Sequence, residues 1–128
     1  VRLRTKLEIV MACAAVPCAL ELFQADRAFS WLARVPAGGE SVSPKVLAFH
    51  VDRILHRGRG IWRHSCLRRA AVLALLLRRS GHDARVVIGV RRDASGTLEA
   101  HAWLACDGRE PFLEPMDSIA TFQPMTRA

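Results

Sequence analysis

The stretch Cys66-Leu67-Arg68-Arg69-Ala70-Ala71-Val72-Leu73-Ala74-Leu75-Leu76-Leu77-Arg78-Arg79-Ser80-Gly81, followed closely by Ala84-Arg85-Val86-Val87-Ile88-Gly89-Val90, decides the fold. From Leu67 to Arg79 nearly every residue is a helix former, Ala70, Leu73, Ala74 and Leu77 share one face, and arginines flank the run. Gly81 stops it. Ala84 to Val90 is β-branched and apolar, which is strand chemistry. Asp93 to Gly96 reads as a hairpin turn, Leu98 to Cys106 alternates, and Asp107-Gly108 marks a second hairpin ahead of Phe112 and Leu113. A helix that feeds an antiparallel meander is the expectation.

Upstream, Leu3, Leu7, Val10, Met11, Ala14 and Leu20 recur at helical spacing from Arg2 to about Phe23, with Pro17 expected to bend or split the run. A short helix over Asp26 to Arg34 and a turn-rich segment from Val35 to Ser43 follow. Ser43-Pro44 reads as an N-cap with proline at the first helical position. A third helix runs to about Arg57, its apolar face formed by Val46, Leu47, Phe49, Val51, Ile54 and Leu55, and Gly58-Arg59-Gly60 ends it. Helices first and strands afterwards argue for an α+β fold rather than alternating βαβ units. The length of 128 residues suits one domain, with 1–43 as a helical N-terminal part and 44–128 as the core that carries the chemistry.

A net charge of +7, mostly from arginine, asks for an acidic partner, and in the bland reading it is a solvated basic face. The arginines fall on or beside amphipathic helices, with no aromatic-rich stacking strand and no Gly-rich basic tail, so nucleic acid is not expected. The four cysteines, Cys13, Cys18, Cys66 and Cys106, form no CxxC pair and no Cys/His spacing of the zinc type, so neither a metal nor another cofactor is expected. No signal-peptide pattern is visible, and free thiols then suit a reducing, cytoplasmic compartment. The most apolar N-terminal run, Ile9 to Leu22, has 14 residues and contains Pro17. That is short of the roughly 20 a membrane span needs.

Cys66 is the candidate nucleophile. Ser65 before it can cap the helix, leaving the thiol in the first turn, where unpaired N–H groups and the positive end of the helix dipole favour a thiolate. The bland reading is a buried cysteine used as a small hydrophobe. His101, 35 residues later, is the candidate base. In Glu99-Ala100-His101-Ala102-Trp103 the alternation places it on the face of Glu99 and Trp103; in the bland reading it is a satisfied structural histidine. A third group should orient the imidazole. Glu114, expected on the strand returning from the Asp107-Gly108 hairpin, is preferred, and Asp107 stays open. His50, His56, His64 and His82 are weaker bases, placed in a helix, a loop or a turn. The Cys66 backbone N–H can serve as one oxyanion donor. Without a reactive thiol, the chain would be a non-catalytic basic binding module.

Four segments in order, Cys66-Leu67-Arg68-Arg69-Ala70, Leu76-Leu77-Arg78-Arg79-Ser80-Gly81, Ala84-Arg85-Val86-Val87-Ile88-Gly89-Val90 and Ala100-His101-Ala102-Trp103, resemble the transglutaminase-like leader peptidases of lasso-peptide biosynthesis. The resemblance covers about Lys45 to Pro115, and the length fits the stand-alone protease half of a split maturation protein. It implies a papain-like fold, with the nucleophile helix packed on a small antiparallel sheet. It also implies a cysteine protease that cuts the leader region from a precursor peptide, aided by a leader-recognition protein and followed by an ATP-dependent lasso cyclase. Cys66 would attack and His101 would shuttle the proton. The third member in this superfamily is often aspartate, which keeps Asp107 beside Glu114. An apolar patch on the N-terminal helices, with Leu3, Leu7 and Val10, would serve docking. Another transglutaminase-like amidase or acyltransferase is the alternative.

Overall fold

The computed structural model describes residues 3–22, 27, 30, 34, 37–38, 42–60 and 65–127. Among these, helices α1 (Leu3–Leu22), α2 (Pro44–Arg57) and α3 (Cys66–Arg79) precede strands β1 (Ala84–Arg92), β2 (Leu98–Cys106), β3 (Arg109–Phe112) and β4 (Gln123–Arg127), with a 3-10 turn at Met116–Ile119. The strands form one antiparallel sheet in the order β3-β2-β1-β4. This is the expected α+β architecture, helices at the N-terminal side. The expected helix over Asp26 to Arg34 falls mostly outside the described residues.

Helix α3 occupies the centre. Every residue from Ala70 to Leu77 is buried, not merely one face, because α1 and α2 pack on one flank while β1 and β2 pack on the other. A helix apolar around its whole circumference can only sit in an interior. Its C-terminus closes as a Schellman motif: Gly81 takes φ 91°, its N–H donates to the Arg78 carbonyl at 3.0 Å, and the His82 N–H reaches Leu77 at 3.0 Å.

The N-terminal helices correct the periodicity reading. Leu3, Leu7, Val10 and Met11 face solvent, whereas Ile9, Ala12, Cys13, Val16 and Pro17 are buried. Pro17 does not split α1, which is helical through Leu22. In α2, Leu47, Val51 and Leu55 go inward as the spacing suggests, but Phe49 is exposed and Ala48 is buried beside them. Both errors have one cause: apolar residues lie on more than one side of these helices, and the packing partner selects the side.

The sheet has two distinct faces. Ala84, Val86, Ala102, Leu104 and Cys106 join the core with α3, while Val87 and Trp103 are buried on the opposite face, which also carries Gly89 and His101. β3 is short and pairs with β2 at Leu104↔Phe112 and Cys106↔Arg109. Among the described residues β2 therefore lacks a β3 partner at His101, and the sheet edge there opens toward the start of α3. No helix among the described residues is long and apolar enough to cross a membrane.

Candidate active site

Cys66 is the first residue of α3. Ser65, in extended conformation, accepts the Arg68 N–H at 3.2 Å, so the cap satisfies one first-turn donor and leaves the half-buried thiol at the positive end of the helix. Cys66, Arg69, Ala70, His101, Ala102, Trp103 and Glu114 line a single cleft of about 180 Å³. The three sequence candidates Cys66, His101 and Glu114 are thus brought together.

His101 and Glu114 are joined directly, Nε2 to Oε2, at 3.0 Å. A carboxylate can only accept, so the shared proton sits on Nε2 and Nδ1 is left to take another. Glu114 reaches this position differently from the expectation. β3 ends at Phe112, and Leu113 takes the left-handed φ of 62°. A continued strand would place residue 114 beside Ala102, since Phe112 pairs with Leu104. The left-handed residue instead turns the chain out of the ladder, and Glu114 meets the imidazole from a bend. The Ser118 hydroxyl, in the 3-10 turn, donates to the same carboxylate oxygen and lies 2.6 Å from the Pro115 carbonyl.

Aromatic rings flank the imidazole, with centroids 5.8 Å away for Trp103 and 5.4 Å for Phe122. The Arg91 guanidinium lies 4.4 Å over the Phe122 ring, and Trp103 donates its Nε1–H to Glu110 at 2.8 Å. These rings shield the His101–Glu114 pair, whose side chains are 24 % and 14 % exposed. Sequence reasoning missed Ser118, Phe122 and Arg69. Arg69 had a signal, its i, i+3 spacing from Cys66; Ser118 and Phe122 had none, because turns position them.

Asp107 lies in a different place. It occupies the β2–β3 turn, takes His82 Nδ1 at 2.7 Å and the Asp83 N–H at 2.9 Å, and does not line the cleft. The hydrogen bond from His82, then that from the Asp83 backbone, hold its carboxyl below the usual carboxylate range. Neighbouring Cys106 is pushed up to about 11, mainly by burial and then by Asp107. Among the described residues, His82, Cys106 and Asp107 bring ligand-type atoms within 4.8 Å of one another. Their hydrogen bonds to one another already account for the cluster. Cys13, buried in α1, is likewise pushed up to about 11 by burial, and all four cysteines are free thiols. His50 packs edge-on to Phe49 at 5.5 Å, away from the cleft, and His64 lies outside the described residues.

A thiol at a helix start and a carboxylate-oriented imidazole across one cleft are the parts of a cysteine nucleophile and its base. The sequence pattern of the transglutaminase-like superfamily matches residues 12–127. The chain belongs to the transglutaminase-like superfamily. This superfamily includes cysteine peptidases and is generally catalytic through a cysteine. Neither a curated protein nor a solved structure matches the chain significantly.

Proposed function

We propose that this transglutaminase-like protein is a cysteine peptidase that removes the leader from a ribosomally made lasso-peptide precursor. It acts with a separate leader-recognition protein and ahead of an ATP-dependent cyclase. The observation that carries the peptidase reading is the cleft that holds Cys66 together with the His101–Glu114 pair. The Cys-Leu helix start, the Ile-Gly-Val strand and the His-Ala-Trp strand support the finer reading by resemblance.

His101 Nδ1 takes the thiol proton while Nε2–H stays on Glu114, so the imidazolium forms between two acceptors and Cys66 sulfur attacks the scissile carbonyl carbon. The backbone N–H of Cys66 faces the developing oxyanion. As the tetrahedral intermediate collapses, the C–N bond breaks and His101 returns the proton to the leaving amine. A thioester remains. Water, deprotonated by His101, then releases the carboxylic acid and restores the thiol.

The test combines the chain, a candidate precursor and its leader-recognition protein, read by mass spectrometry. Free leader with a new C-terminal carboxylate is expected, absent with Cys66→Ala or His101→Ala and slowed about 100-fold or more with Glu114→Gln. A product joined to an added amine would point to acyl transfer. Intact precursor in the presence of the partner would remove the peptidase reading.

A further inference from the structure

Arg69 follows Cys66 by three residues in α3, so one helical turn brings its side chain to the cleft that Cys66 lines. Its guanidinium binds in two directions. Nε donates to Asp52 Oδ1 of α2 at 2.7 Å, and Nη2 donates to the Leu113 carbonyl at 3.2 Å. Both side chains are largely covered, Arg69 being 18 % and Asp52 33 % exposed. The carbonyl that Arg69 grips belongs to the left-handed residue and to the peptide plane from which Glu114 departs. Fixing that plane fixes the origin of the carboxylate that orients His101.

We infer that Arg69, anchored by Asp52, is the positioning residue for Glu114, and through Glu114 for the His101 imidazole. The inference rests on the peptidase reading above. A planar guanidinium suits the task, because its rigid fork holds two acceptors in fixed directions, whereas an ammonium holds a point charge. Arg69 touches neither substrate nor reacting atoms in this role.

A second effect of Arg69, its positive charge near the thiol, predicts the opposite outcome for one substitution. Asp52→Asn leaves the charge and removes a nearby negative group, so charge alone would favour thiolate further. Loss of positioning would disfavour it. The experiment is iodoacetamide alkylation of Cys66, mapped by peptide mass spectrometry over about pH 5 to 9, in the wild type, Asp52→Asn, Arg69→Lys and Glu114→Gln. Thermal melts by circular dichroism report the fold.

The wild type is expected to alkylate at low pH, and Asp52→Asn and Arg69→Lys to move the profile upward by about one pH unit. In a Glu114→Gln background, Asp52→Asn is expected to add no further shift, since both act through one carboxylate. A downward or absent shift in folded Asp52→Asn overturns the inference, as does full additivity with Glu114→Gln. If Asp52→Asn fails to fold, Arg69→Lys decides by the same shift and the same non-additivity. A wild-type Cys66 that reacts only as an ordinary thiol overturns the peptidase reading itself and leaves nothing to position.

Discussion

Gly89 shows how one missing atom shapes the site. It stands opposite His101 in the β1–β2 register, and a β-carbon there would fall 2.4 and 2.7 Å from two carbons of the Trp103 ring. Trp103 is 1 % exposed and tethered through its indole N–H to Glu110, so the ring has little room to retreat. Gly89→Ala is therefore an overpacking substitution. It is expected to cost about 1–3 kcal/mol, read as a lower urea midpoint with an unchanged slope. A midpoint equal to that of the wild type would mean that the indole does not lie against Gly89. The same contact makes Trp103 the wall beside His101, so the glycine sets the position of the ring that shields the imidazole.

At the scale of elements, the β2–β3 hairpin is tied back to the loop after α3. Asp107 and Gly108 take φ 50° and 82°, the left-handed pair that a tight two-residue hairpin needs. The Asp107 carboxylate then bridges to His82 and to the Asp83 N–H. These bonds hold the carboxyl below its ordinary 3.8, so the stability they add is present above that value and lost as pH falls through the lower folded one. Asp107→Asn keeps a residue that tolerates the left-handed backbone. Its denaturation midpoint should lie below that of the wild type above pH 3.8, with the gap closing as pH falls below that value. A gap that persists at the acid end would assign the effect to the backbone turn instead. The pH test also separates this hairpin anchor from the cleft, where Glu114 orients the imidazole.

At the scale of the whole molecule, apolar surface and positive charge meet on the helical side. Leu3, Leu7, Val10 and Met11 project outward from α1, and a groove of about 260 Å³ beside them is lined by Ile9, Val10 and Ile54 with Lys6, His50, Arg53 and Arg57 around it. An apolar floor with cationic walls suits an acidic, amphipathic peptide surface better than a nucleic-acid backbone. We propose this as the face that would meet the leader-recognition protein. Replacing Leu3, Leu7 and Val10 together by serine should weaken that association at least about tenfold by calorimetry while leaving Cys66 alkylation unchanged. Equal affinity would move the docking face elsewhere.

The sequence by itself determined the element types, because helix-forming runs, β-branched runs and Asp-Gly or Gly stops are local physics: α3, the two hairpins and their turns lie where the residues place them. It also picked out Cys66 and His101, since a capped helix start and an alternating strand make each residue type conspicuous, and it left Glu114 and Asp107 as rivals for the third place. Which side of α1 is buried was not legible, because Leu3, Leu7 and Val10 are as apolar as Ile9 and Val16, and only contact with α2 and α3 chooses between them. Nor could the strand pattern foresee that β3 stops at Phe112 and that a left-handed Leu113 delivers Glu114 from a bend. The tertiary structure alone decided between Glu114 and Asp107 as the partner of His101, for that choice depends on where two turns lie in space, and on Arg69 and Ser118 arriving from other elements to hold one of them in place.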